Sequence, residues 1–413
     1  MQQSDLLVAR ILREIHELGQ IGGHADGSVT RLAYTEADTE ARMWLVSRME
    51  EAGLRTEVDA VGNVFGWPPN SSTDPPILLG SHVDTVPGGG TYDGTLGVVS
   101  ALQIVRSLAD RESRVPPVGV VSFACEEGSR FGMSSIGSRA ITGQLVSGDL
   151  ERLKDRDGIT LRQALQSAGL SPNEVHKLPR APGWFRAYLE GHIDQGPELE
   201  ETGCPVGVVK AIAGVSRYLL TFHGAQAHAG AARMGQRRDA MAAAAEAILI
   251  IEHEATSAAE DVVATVGVAE AVPGIINVLP AEVRLGLEVR TLPTAGAVNF
   301  DSRVRERIQD RTAHRQITVQ WDTLSASEPA RISDVVRKTL LAACTESGVP
   351  AREIVSWPSH DALFLATQGP SGMILVRNRG KVSHHRDESV RPGDLQILLE
   401  VLQRALHHLM TPS

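Results

Sequence analysis

Two stretches decide the architecture: Ile77-Leu-Leu-Gly-Ser-His-Val-Asp84 and Val118-Gly-Val-Val-Ser-Phe-Ala-Cys-Glu-Glu127. Each is a short apolar run that ends abruptly in His or carboxylate. Between them, residues 94–108 have the apolar spacing of a helix. Short apolar runs separated by helices predict a largely parallel sheet with helices on its faces. In such sheets ligands bind beyond the carboxyl ends of the strands. His82 with Asp84, and Glu126 with Glu127, fall at those ends.

Working outward, the pattern changes in the middle of the chain. Residues 218–222, 262–268, 282–290 and 317–321 are strand-like, and residues 239–252 and 295–310 helical. The order β-α-β-β-α-β is that of a ferredoxin-like sandwich. Over residues 283–289, Val, Leu, Leu and Val alternate with polar or small residues, the mark of a half-buried antiparallel strand. Alternating α/β character then returns, with a helix over 333–346, a strand over 373–376 and a final helix over 392–409. The expected architecture is an α/β catalytic domain with a mostly parallel central sheet, built from residues 1–211 and 329–413. A small α+β domain is inserted over 212–328. The length of 413 residues suits two domains.

Composition narrows the functional classes. The formal net charge is −10, which argues against nucleic-acid or membrane-surface partners, since both select basic patches. Aromatic residues make up only 4%, so the core must rest on aliphatic side chains. Cys125, Cys204 and Cys344 are an odd, widely spaced set, unlike a disulfide framework, and point to a reducing cytoplasm. The N-terminal Leu and Ile residues are interrupted by Arg10, Arg13 and Glu14, as in an amphipathic helix rather than a signal peptide. No apolar run is long enough to span a bilayer.

Five segments concentrate His and carboxylate between Gly or Pro residues: those containing His82 and Asp84, Asp93, Glu126 and Glu127, His192, and His384 with His385. Adjacent glutamates at the end of a buried strand are costly unless a cation neutralises them. Imidazole plus carboxylate, without thiolate, is a donor set suited to zinc, manganese, nickel or cobalt. In His82-x-Asp84 the two side chains share one face of a strand, so Asp84 could orient the His82 imidazole. Taken singly, each of these has a plain structural reading: a strand-end histidine, a solvated Glu pair. Their coincidence at strand ends in one chain favours a site.

These segments resemble the zinc amidohydrolase branch of the aminoacylase and metallopeptidase clan, which contains N-carbamoyl-L-amino-acid hydrolases, allantoate amidohydrolases and beta-ureidopropionases. The similarity covers nearly the whole chain. It is most specific over residues 80–97, 126–143, 192–200, 224–230, 277–280 and 383–388. It implies two divalent metal ions per subunit, zinc first among the candidates, with His82, Glu127, His192 and His384 as ligands and Asp93 bridging both ions. His385 competes with His384 for the last place. The resemblance also makes Glu126 the acid/base, and His228 a catalytic contribution from the partner subunit of a homodimer. Gln195, Asn277, Arg290 and His360 then become substrate contacts, with Arg290 clamping a carboxylate, and the inserted domain becomes a dimerisation domain and lid. Without the family, His228 reads as a loop histidine, Asn277 as a turn-capping amide and Arg290 as a partner of Glu288 or Glu282.

The expected activity is therefore hydrolysis of the linear amide of a small N-carbamoyl or ureido carboxylate. Aminoacylase or dipeptidase-like activity is the alternative, and an inactive metal-binding interaction protein the remote one. Trp357-Pro358-Ser359, Ala231-Ala-Arg-Met234, Gly191 and Asp194 depart from the family pattern. They put the acyl or amino-acid preference in doubt, but touch none of the proposed ligands.

Overall fold

Ile77–His82 is buried at every position, as is Val118–Phe123. The two strands lie side by side and parallel, with Ile77 opposite Val118 and His82 opposite Phe123. Runs this apolar gain most as central strands covered on both faces. The computed structural model describes residues 3–68, 74–109, 117–350 and 352–411. Among these, a nine-stranded sheet runs in the order Arg55–Val58, Val64–Trp67, Val118–Phe123, Ile77–His82, Ala187–Ile193, Ser371–Val376, Val206–Ile212 and Ala330–Arg331, with Arg352–Ser356 paired to Val206–Ile212. The inner strands, from Val118–Phe123 to Ser371–Val376, are parallel. Their flanking neighbours are antiparallel. The carboxyl ends of the inner strands therefore open on one edge, where the polar clusters gather.

Helix Thr95–Ala109 connects the first two inner strands, and every residue from Thr95 to Val105 is buried. A helix apolar on nearly all sides must be sandwiched. One core cluster joins its Val98, Leu102 and Val105 to Ile77, Leu79 and Val118 of the sheet. The same cluster includes Ile11 and Ile15 of helix Gln3–Gln20 and Leu398 and Leu402 of helix Pro392–Met410. Each such side chain contributes about 1.5–3 kcal/mol relative to exposure. Aliphatic packing thus fixes the strand ends that carry the polar residues.

The chain divides into two compact units, Met1–Lys210 with Arg331–Ser413, and Ala211–Ala330. In the second, an antiparallel sheet has the order Thr318–Ala326, Gly214–His223, Glu282–Thr291, Val262–Val272. In chain order this is fourth, first, third, second, the ferredoxin-like arrangement. The alternation along Glu282–Thr291 is realised: Val283, Leu285, Leu287 and Val289 are buried in one cluster with helices Ala240–Ser257 and Phe300–Ala313. The second helix begins later than its composition predicts. Asn299, with φ of 62°, leaves the helical track, so the stretch before it forms turns. Among the described residues no helix is long and apolar enough to cross a membrane.

Candidate metal centre

His82 is the last residue of its strand, and its ring is almost wholly buried. Its Nδ1 lies 3.1 Å from the Asp84 carbonyl oxygen, to which it donates, leaving Nε2 to face inward. His192, near the end of Ala187–Ile193, is held in the same way, Nδ1 donating to the Ile193 carbonyl at 3.0 Å. Asp93 sits just ahead of helix Thr95–Ala109, and its Oδ1 stands 3.3 Å from Nε2 of His82 and 3.2 Å from Nε2 of His192. Gly94, with φ of 61°, makes this approach feasible: a Cβ there would lie 2.4 Å from the His82 ring.

The other face of Asp93 meets a second set. Nε2 of His384 is 3.2 Å from Glu127 Oε2 and 3.7 Å from Asp93 Oδ2. Two groups of donor atoms thus fit a cation, His82, Asp93 and His192 in one and Asp93, Glu127 and His384 in the other, each with all its donors within 4.8 Å of one another. Asp93 belongs to both. Its Oδ1 is buried with no hydrogen-bond donor in line, although two imidazole nitrogens stand beside it. That geometry suits a cation held among His82, Asp93 and His192 better than an N–H···O contact. The donors are imidazole and carboxylate, a set for a borderline or hard divalent ion. His385 belongs to neither group. Its ring turns to Asp387, with Nδ1 3.4 Å from Asp387 Oδ2.

Residues around the groups hold Asp93 in place. Its Oδ2 accepts from Gln195 Nε2 at 2.7 Å and from Ser383 Oγ at 2.8 Å. Glu388 joins the two chain segments that meet here: Oε2 accepts the Asp93 N–H at 3.2 Å, and Oε1 the His384 N–H at 2.8 Å. Gly90 lets it in, since a Cβ there would be 2.1 Å from Glu388 Oε2. Behind His192, Glu190 is fully buried and accepts from Ser81 Oγ at 2.8 Å and from the Ala362 N–H at 2.9 Å. The His360 ring stands edge-on to His192, 4.6 Å between centroids, and its Nε2 is 2.9 Å from Ser356 Oγ. Sequence reasoning gave no role to Ser383, Glu388 or Glu190. Their only signal was membership of the polar segments.

The cluster is electrostatically tense. Burial pushes the Glu126 carboxyl up to about 8; His82 opposes this, and Glu127, Asp84 and Asp93 add to it. Burial, then the Asp93 charge, raises Glu388 to about 7. Burial also resists ionisation of Asp93, but His192 and His82 outweigh it and hold that carboxyl well below the usual range. The His384 imidazole, hydrogen-bonded to Glu127, rises to about 9.

Three sequence-predicted residues lie in the second compact unit. His228 is exposed, and its Nδ1 accepts the Gly230 N–H at 3.1 Å. Asn277 is also exposed, and its carbonyl accepts the Ala229 N–H at 3.0 Å. The Arg290 guanidinium pairs with Glu288 at 2.8 Å, and Glu288 also pairs with Arg217 at 2.8 Å.

Comparison with known proteins places this arrangement. The profile of Peptidase family M20/M25/M40 matches residues 78–408, which span every residue of both donor groups. The chain belongs to that family. As a member of the M20/M25/M40 family it is similar to the N-carbamoyl-L-amino acid amidohydrolase of Geobacillus stearothermophilus, at 38% identity over 97% of this chain and 98% of that protein. It is also similar to the allantoate amidohydrolase of Bacillus subtilis strain 168, at 32% identity over 99% of this chain and all of that one. A crystal structure of an amidase of the hydantoinase/carbamoylase family from Burkholderia multivorans superposes with a TM-score of 0.83, at 31% identity and 98% coverage of each chain. This M20/M25/M40 member is a hydrolase of carbon–nitrogen bonds in linear amides.

Proposed function

We propose that this chain hydrolyses N-carbamoyl or ureido carboxylates, N-carbamoyl-L-amino acids and allantoate among them. In this reading two divalent cations, zinc in the first instance, share Asp93. The meeting of both donor groups at Asp93 carries the reading. His82 and His192 would hold one ion, and Glu127 and His384 the other. Bound there, the cations would acidify a water and polarise the scissile carbonyl. Glu126, buried beside His82, takes a proton from the attacking water and delivers it to the leaving nitrogen. A carboxyl whose affinity for protons has been raised by burial is suited to do both.

In the same reading the inserted unit supplies recognition. Arg290 exchanges Glu288 for the substrate's carboxylate, Asn277 adds a polar contact, and Gln195 and His360 are further substrate contacts. His228 serves the site of a second copy, which makes the active form a homodimer. The edge strand Val262–Val272 exposes Val263, Val268 and Val272, an edge of the kind that a second copy covers. The three cysteines are unbridged, which suits a reducing cytoplasm.

The test is a substrate panel on protein reconstituted with zinc or manganese. Ammonia release from N-carbamoyl-L-amino acids or allantoate, with little cleavage of N-acetyl amino acids, is expected. Cleavage of N-acetyl substrates alone would replace this reading with an aminoacylase.

A further inference from the structure

The loop that carries Glu126 is closed at its base. The carbonyls of Ala124, Cys125 and Glu126 accept the N–H groups of Gly137, Ile136 and Ser135 at 2.8, 3.0 and 2.8 Å. The Asn63 amide clamps the same stem, accepting the Ala124 N–H at 2.9 Å and donating to the Gly137 carbonyl at 3.1 Å. In the helix that follows, Ile136–Ile141, Ser138 Oγ donates to Asp361 Oδ1 at 2.5 Å and anchors the loop from its other side.

Ser135 closes this loop. It is fully buried and has φ of 57°, a conformation that favours glycine. What serine adds over glycine is a hydroxyl, and that hydroxyl donates to Glu126 Oε1 at 3.2 Å. The other oxygen, Oε2, is the one that faces the donor groups, 3.7 Å from His82 Nε2. A carboxylate free to turn about its last bond would present either oxygen. The Ser135 contact removes that freedom.

We propose that Ser135 is a positioning residue for Glu126: its hydroxyl occupies Oε1 and leaves Oε2 as the oxygen that carries the proton. The inference rests on the amidohydrolase reading above. One O–H bond of the attacking water breaks and its proton goes to Oε2 as the water oxygen forms a new bond to the scissile carbonyl carbon; the proton then leaves Oε2 for nitrogen as the C–N bond breaks. Ser135 neither gains nor loses a proton.

The experiment compares Ser135→Gly, Ser135→Ala, Glu126→Gln and the double variant Ser135→Gly/Glu126→Gln, all cation-loaded, on one N-carbamoyl substrate. Both Ser135 variants should lose roughly tenfold in kcat, with KM and bound cation unchanged. Ser135→Gly should melt no lower than the parent, because glycine accepts the backbone conformation. On the Glu126→Gln background Ser135→Gly should cost nothing further. A Ser135→Gly enzyme with parental kcat beside an inactive Glu126→Gln would overturn the positioning role and leave the reading of Glu126 intact. Full activity of Glu126→Gln would overturn both. If Ser135→Gly does not fold, Ser135→Ala carries the same comparison.

Discussion

The carboxylate of Asp84 accepts the backbone N–H of Glu126 at 3.0 Å. Its other oxygen accepts the Glu127 N–H at 3.2 Å, while the His82 ring takes the Asp84 carbonyl instead. One residue therefore sets the ring of one candidate ligand, the backbone of another and the acid/base. The sequence spacing suggested a carboxylate oriented on His82. The nearer oxygen of the Asp84 carboxylate lies 3.7 Å from Nδ1 of that ring, because the strand ends at His82 and Asp84 has already turned towards the Glu126 loop.

Asp84→Asn should be damaging without removing a ligand. An amide offers one acceptor where two N–H groups now point, leaving a buried donor facing a donor. Cation affinity should fall about 10–100-fold, read by competition with a chromogenic chelator. Unchanged affinity would place the role of Asp84 in folding alone.

Asp93 is the residue common to both donor groups. Asp93→Ala should therefore abolish binding of both cations, whereas His384→Ala should leave one bound through His82, Asp93 and His192. Elemental analysis after dialysis reads the stoichiometry. Retention of one tightly held ion in Asp93→Ala would refute a shared carboxylate.

Stability should depend on pH in a way that cations reverse. Glu126 and Glu388 bind protons more tightly folded, at about 8 and 7, than in an unfolded chain. The folded state then holds more protons than the unfolded one, so stability falls as pH rises through that window. His384, raised to about 9, acts in the same direction, its stabilisation present below the unfolded value and lost as pH rises. Cation-free protein should lose melting temperature from about pH 5 to 8. Loaded protein should not, and cation binding should release protons, measurable by calorimetry in buffers of different ionisation enthalpy. A cation-free melting temperature that climbs over this range would contradict the charge balance described here.

Gly94→Ala should cost more than an ordinary turn substitution. The left-handed backbone alone costs about 1–2 kcal/mol for a residue with a Cβ, and the added carbon would sit 2.4 Å from the His82 ring. Urea unfolding should show at least that loss, and cation affinity should fall with it. Lower stability with intact affinity would mean that the ring has room to move.

Arg290 separates two roles cleanly. As a carboxylate clamp, Arg290→Ala should raise KM roughly tenfold or more for N-carbamoyl amino acids and leave N-carbamoyl amines untouched. As a partner of Glu288 only, it should lower the melting temperature and leave KM alone.

Much of the fold was legible because its signals are local. Val283 to Val289 alternates with period two whatever surrounds it, and the buried Ile77–His82 run ends in a histidine at the edge where a parallel sheet opens. The strand Val206–Ile212 was not legible. Its position between Ser371–Val376 and Ala330–Arg331 depends on partners distant in the chain. Ser383 and Glu388 illustrate the same limit at the site: each reaches the Asp93 segment across most of the chain, and no periodicity records such a contact.

The sequence by itself determined which residues could do chemistry here. Clusters of His and carboxylate at the ends of apolar runs follow from local pattern and residue type, and the paired glutamates demanded positive charge because burying them alone is costly. The tertiary structure decided which oxygen faces which nitrogen: Asp93 at the junction of two donor groups, Asp84 gripping the Glu126 loop, Ser135 on one oxygen of Glu126. Those are distances between side chains brought together by packing, and packing is set by the whole core at once.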